Sequence, residues 1–132
     1  RYYIDGIHQR KATCVLVTPV ARRNYREETG KFVISFNNYR SIMLKLAKEK
    51  NTPILDLGKE SSAYLNSIGP EESKKLFMWI KPGEFPDGNY AEGKQDNTHL
   101  QRRGAIEFAG ILVRLIKEYD MDNRLDYLKR LL

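Results

Sequence analysis

Only one cysteine, Cys14, occurs in the 132 residues of this chain, so no internal disulfide can form and no thiolate knot can hold a metal. Histidine is nearly as scarce: His8 and His99 stand far apart without clustered ligands, so neither a metal site nor a cofactor site is expected. No apolar run approaches the roughly 20 residues of a membrane-spanning helix, and no membrane partner is expected. The basic, apolar and small-residue series of a secretory leader is missing from the start of the chain. The serines are Ser35, Ser41, Ser61, Ser62, Ser67 and Ser73. None sits on a strand-to-helix turn with small neighbours, the setting that exposes a nucleophilic hydroxyl. Cys14, inside an apolar run, reads as a buried, inert thiol.

What is present is the composition of one globular domain, 41% hydrophobic and 30% charged, with a net charge of +6. That charge suits a polyanionic partner. However, the basic residues come as scattered pairs, Arg10-Lys11, Arg22-Arg23, Lys74-Lys75, Arg102-Arg103 and Lys129-Arg130, which read as solvated surface. Without a charged stripe or a stacking platform, no nucleic-acid partner is expected.

The residue pattern alternates helices with short strands. Tyr2 to Gln9 reads as a helix with Tyr3, Ile4 and Ile7 on one side, and His8 as a surface histidine. The β-branched run Ala12 to Val17 reads as a buried parallel strand, and Thr18 to Phe36 as a loop at its carboxyl end. Ligands bind at such ends in open α/β sheets, which makes Arg22 and Arg23 candidates for substrate binding. Asn38 to Lys50 has helical spacing at Tyr39, Ile42, Met43, Leu46 and Ala47. Ile54 to Leu57 reads as a second strand, followed by a helix to Ile68 and, after Gly69-Pro70, a short helix reaching Phe77 and Trp79. Residues 80–97 read as a long loop with Phe85 and Tyr90 as its aromatics. A last long helix is expected from His99 to Tyr119, with Ile106, Phe108, Ala109, Leu112, Val113, Leu115 and Ile116 facing a sheet. A tail helix over 120–132 carries Leu125, Leu128 and Leu132. This order implies an α/β fold with a parallel sheet. Two strands cannot complete such a sheet, so the chain, which opens at Arg1 rather than Met, is expected to be part of a larger doubly wound domain.

The segment with the strongest chemical character is Gln95-Asp96-Asn97-Thr98-His99-Leu100-Gln101. Thr98 with Gln101 three residues on spells a capping box, placing His99 in the first helical turn. Asp96 in the preceding loop can then accept the imidazole Nδ1 proton and leave Nε2 outward as a base.

Four stretches together carry a resemblance: Val15 to Tyr25, Ile54 to Leu57, Gly69-Pro70-Glu71 through Leu76-Phe77, and Asp96-Asn97-Thr98-His99. In order and spacing they resemble the carboxyl-terminal half of the SGNH, or GDSL-type, hydrolases, most closely the rhamnogalacturonan acetylesterase branch. The resemblance implies part of a flavodoxin-like three-layer αβα domain over residues 1–119, with the amino-terminal half missing. It also implies a serine carbohydrate esterase that deacetylates pectic polysaccharide, His99 matching the general base and Asp96 its orienting acid. The family's nucleophilic serine and oxyanion-hole motifs are not among these residues, so the chain alone is expected to be inactive. Extracellular or periplasmic localisation follows from the same resemblance. Pairing with the missing half, or with a second copy, is the expected protein contact. The alternative is a non-catalytic binding or assembly module derived from that fold.

Overall fold

A computed structural model describes residues 1–85 and 88–132. Helix α1 spans Tyr2–Gln9, strand β1 Leu16–Val17, β2 Tyr25–Arg26, β3 Lys31–Phe32 and helix α2 Asn37–Glu49. Strand β4 covers Ile54–Leu55, helix α3 Leu57–Lys74, strands β5 and β6 Phe77–Ile80 and Lys94–Leu100, and helix α4 Arg102–Glu118. A 3₁₀ turn at Asn123–Leu125 leads into α5, Asp126–Leu131.

The fold is mixed α/β. β1 and β4 pair in parallel, Leu16 against Ile54 and Val17 against Leu55, as the two apolar runs suggest. The strand expected over Ala12 to Val17 is shorter: Cys14, though buried, precedes it, and Val17 is 37% exposed. The expected loop from Thr18 to Phe36 contains an antiparallel hairpin, β2 with β3, turning at Gly30, whose φ of 63° suits glycine. It also delivers Ala21 and Phe32 to the core.

The helix expected to reach Phe77 and Trp79 ends at Lys74. Gly69, at φ 79°, kinks α3 just before Pro70, and Leu76 onward turns into a strand. Short apolar runs of this kind have no diagnostic period, and the strand that pairs with β5 is the distant β6. Of the loop expected over 80–97, Pro86 and Asp87 lie outside the described residues, and its last part belongs to β6.

The core joins Ala21, Phe32, Leu65, Leu76, Phe77, Phe108 and Ile111. Phe77 and Tyr64 both meet Phe108 edge-on, with ring centroids 6.1 and 6.5 Å away. α4 therefore faces inward through Gly104, Phe108 and Ile111, whereas Ile106, from the expected stripe, is exposed. The stripe was read one step out of phase because Gly104, which carries no hydrophobic signal, is the point of closest approach. On α2 only Ala47 is buried, leaving Tyr39 and Ile42 exposed.

At the carboxyl ends of β1 and β4, Asp56 caps α3 and also accepts from Thr18 Oγ1 at 2.9 Å and Arg40 Nε at 2.8 Å. Burial opposes this charge, but the bonds from Arg40 and Thr18 prevail and hold the carboxyl below its usual range. The tail docks on its own chain through Leu125, which is fully buried, and through Arg124, which bonds to Asn51. Leu128 and Leu132 of the expected tail stripe stay exposed.

Candidate active site

β6 does not run evenly along β5. From the pair Phe77–Leu100 to the pair Trp79–Gln95, one strand advances two residues while the other advances five. Asp96, Asn97, Thr98 and His99 thus stand opposite the single residue Met78 and loop out of the ladder as a bulge. A bulge re-aims side chains that a regular strand would alternate between its two faces.

The bulge is closed by its own first side chain. Asp96 Oδ1 accepts the backbone N–H groups of Thr98 at 2.7 Å and His99 at 2.9 Å. Its Oδ2 lies 2.7 Å from His99 Nδ1. Asp96 is the shielded partner, its side chain 15% exposed against 74% for His99. The His99 backbone bond, then its ring, then the Thr98 N–H hold the carboxyl well below the usual range. It stays ionised in mild acid. The Oδ2 contact sets the imidazole orientation, Nδ1 toward Asp96 and Nε2 away from it, and the two backbone bonds hold the carboxylate in place for it.

The sequence reading placed this pair at a helix mouth under a Thr98–Gln101 capping box, and the structure corrects that. α4 starts at Arg102, and its N-cap residue Gln101 makes no side-chain cap. Leu100 still pairs with Phe77, and Gln101 N–H bonds Leu76 O at 2.9 Å, so the strand ladder takes the backbone groups a capping box needs. The Gln101 side chain reaches Trp79 O at 3.4 Å instead. Asp96 and His99 meet as expected through a different local device.

Arg22 and Arg23 diverge. The Arg22 guanidinium lies over the Phe36 ring at 4.3 Å, and the residue is exposed. Arg23 turns inward: Nε bonds Ser73 Oγ at 2.9 Å, one terminal nitrogen bonds Pro70 O at 2.8 Å, and the other reaches Asn97 Oδ1 at 3.3 Å. Its backbone N–H bonds Asn97 O at 2.8 Å. Arg23 therefore adjoins the bulge, and Arg22 points elsewhere.

Trp79 and Asn97 escaped the sequence reading as site residues. Trp79 Nε1 donates to Asn97 Oδ1 at 2.9 Å, with the Arg23 guanidinium 4.8 Å from its ring centre. The one signal was the apolar run Leu76 to Ile80 that contains Trp79, which reads equally well as a helix end.

Five of the six serines are hydrogen-bonded elsewhere, and Ser62 Oγ is buried without a partner among the described residues. Ser61 bonds Ala21 N–H and Leu57 O; Ser35 bonds Arg22 N–H; Ser41 and Ser67 bond carbonyls of their own helices. Ser62 and Ser73 are buried on α3. Among the described residues, the hydrogen-bond partner of the His99 ring is Asp96.

No protein-family profile matches the chain. It is 38% identical over 116 residues to the rhamnogalacturonan acetylesterase RhgT of Bacillus subtilis (strain 168), covering 88% of this chain and 49% of that protein. The same organism's YesY, described as a probable rhamnogalacturonan acetylesterase, is 34% identical over 118 residues, covering 89% and 48%. The crystal structure of B. subtilis YxiM superposes with a TM-score of 0.66 at 34% identity, over 87% of this chain and 29% of that one; YxiM itself is described as an uncharacterized esterase. The chain thus spans about half the length of the two acetylesterases it matches. These similarities extend over nearly nine-tenths of its residues and support a polypeptide like part of a rhamnogalacturonan acetylesterase, of SGNH type.

Proposed function

We propose that this chain supplies the acid–base half of a Ser-His-Asp esterase that removes acetyl groups from an acetylated rhamnogalacturonan. The observation that carries the proposal is the 2.7 Å contact between Asp96 Oδ2 and His99 Nδ1, within a bulge that leaves Nε2 outward. The names of the relatives supply the substrate class.

His99 Nε2 takes the proton of a serine hydroxyl as its oxygen adds to the acetyl carbonyl. Asp96 stabilises the imidazolium that results. The proton then passes to the departing sugar oxygen, the ester C–O bond breaks, and an acetyl-serine forms. Water, deprotonated by the same imidazole, releases acetate and restores the serine. With no serine among the described residues bonded to His99, the nucleophile and oxyanion donors come from the remainder of a three-layer αβα domain. That remainder adds strands beside β1 and β4 and covers Tyr39 and Ile42. The 132-residue chain alone is inactive.

The test is direct. The full-length protein should release acetate from acetylated rhamnogalacturonan and be labelled and inactivated by a fluorophosphonate serine probe, while the 132-residue chain does neither. Labelling of the short chain, or no acetate from the full-length protein, would overturn the proposal.

Exposed Arg22, rather than the occupied Arg23, is the arginine positioned to meet a carboxylate on such a polymer. Arg22→Ala should raise KM for acidic acetylated polymers several-fold and leave neutral acetylated sugars unchanged. Equal KM changes for both substrates would reject this role.

A further inference from the structure

Asp96 closes the bulge from within, but a four-residue bulge opposite one residue has lost its ladder bonds and needs holding from outside as well. That outer hold converges on one side chain. Asn97 Oδ1 accepts from Trp79 Nε1 at 2.9 Å and from Arg23 at 3.3 Å, while Asn97 O accepts the Arg23 backbone N–H at 2.8 Å. Both donors are themselves fixed. Arg23 is anchored on the α3 kink by Ser73 Oγ and Pro70 O, and Ser73 is fully buried. Trp79 sits in β5 with Lys74 Nζ 4.9 Å and the Arg23 guanidinium 4.8 Å from its ring centre.

We propose that Asn97 is a positioning residue: with Arg23 and Trp79 it braces the bulge so that Asp96 meets the Nδ1 side of His99. This rests on the catalytic reading above for its importance to turnover, but not for its physical content. The bonds within the bulge belong to Asp96, and an Asx-type turn in an exposed segment is by itself a weak constraint. The brace ties that turn to the loop after β1, to the α3 kink and to β5. An Asn is suited to the task because one amide oxygen can accept two hydrogen bonds. Asn97 is itself exposed, so truncating it opens no cavity in the core.

The readout is the tautomer of the neutral His99 ring in the full-length protein, from long-range ¹H–¹⁵N correlation of its two ring nitrogens. The native protein should hold the proton on Nδ1, facing Asp96. Asn97→Ala should lower the Nδ1–H share below half with little change in Tm. Asn97→Asp, which keeps an oxygen acceptor for Trp79 and Arg23, should restore the native share. A native tautomer share in Asn97→Ala, or a share in Asn97→Asp as low as in Asn97→Ala, would overturn the brace. Neither outcome depends on acetate release, so the brace and the esterase reading can fail separately.

Discussion

Replacing His99 by alanine in the full-length protein is expected to lower kcat for acetate release by about 10⁶-fold, and Asp96→Asn by about 10⁴-fold, both with KM nearly unchanged. The first removes the group that takes the serine proton in the proposed reaction. The second follows from the geometry of the bulge. Asp96 Oδ1 is bonded by the Thr98 and His99 backbone N–H groups, so an asparagine must keep its carbonyl oxygen there. That turns its NH₂ toward His99 Nδ1, where Oδ2 stood. An NH₂ facing Nδ1 selects the tautomer with its proton on Nε2, and that ring cannot accept a proton from serine. Retained acetate release in His99→Ala would overturn the catalytic assignment; retention in Asp96→Asn alone would overturn the orienting role.

The pH dependence has a defined sign. The Asp96 carboxyl is held below its usual range, so it stabilises the fold wherever the unfolded-state group would be ionised, and this contribution is lost only as pH falls through the folded value. Activity lost on mild acidification therefore does not report protonation of Asp96.

The Asp96–His99 pair was legible in the sequence because a carboxylate and an imidazole three residues apart can meet in several local conformations. For the same reason, the conformation itself was not legible. Thr98-x-x-Gln101 spells a helix cap, yet the ladder bonds of Leu100 and Gln101 to β5 and its approach hold those residues extended. The existence of the helices was legible wherever the apolar period was long, as in α2 and α4, though the start and inward face of α4 were not. β5 was missed because a run as short as Phe77–Ile80 carries no period, and its strand character comes from a partner 14 or more residues away. The exposure of Tyr39 and Ile42 is the converse case. Their helical period marks an apolar face, but among the described residues only the Phe36 ring meets Tyr39, and both side chains stay exposed.

Gly104 tests how α4 is seated beneath the site. A Cβ built there lies 2.1 Å from Leu76 O and 2.9 Å from Leu76 C, a backbone clash that no rotamer change relieves. The same Leu76 carbonyl accepts the Gln101 N–H just before the helix starts. To admit a methyl group, α4 must withdraw by more than an ångström, drawing Phe108 and Ile111 off Phe77 and pulling on the end of β6 that carries His99. Alanine in place of glycine gains about 1 kcal/mol of helix propensity, but overpacking a close contact costs roughly 3 kcal/mol, so the loss prevails. Gly104→Ala should lower Tm by roughly 5–10 °C and reduce acetate release in the full-length protein. Gly110, on the same helix, has nothing within 4 Å of a built Cβ. There only the propensity gain operates, and Gly110→Ala should raise Tm by a few degrees. Equal Tm values for the two variants would mean that α4 does not rest on the Leu76 carbonyl.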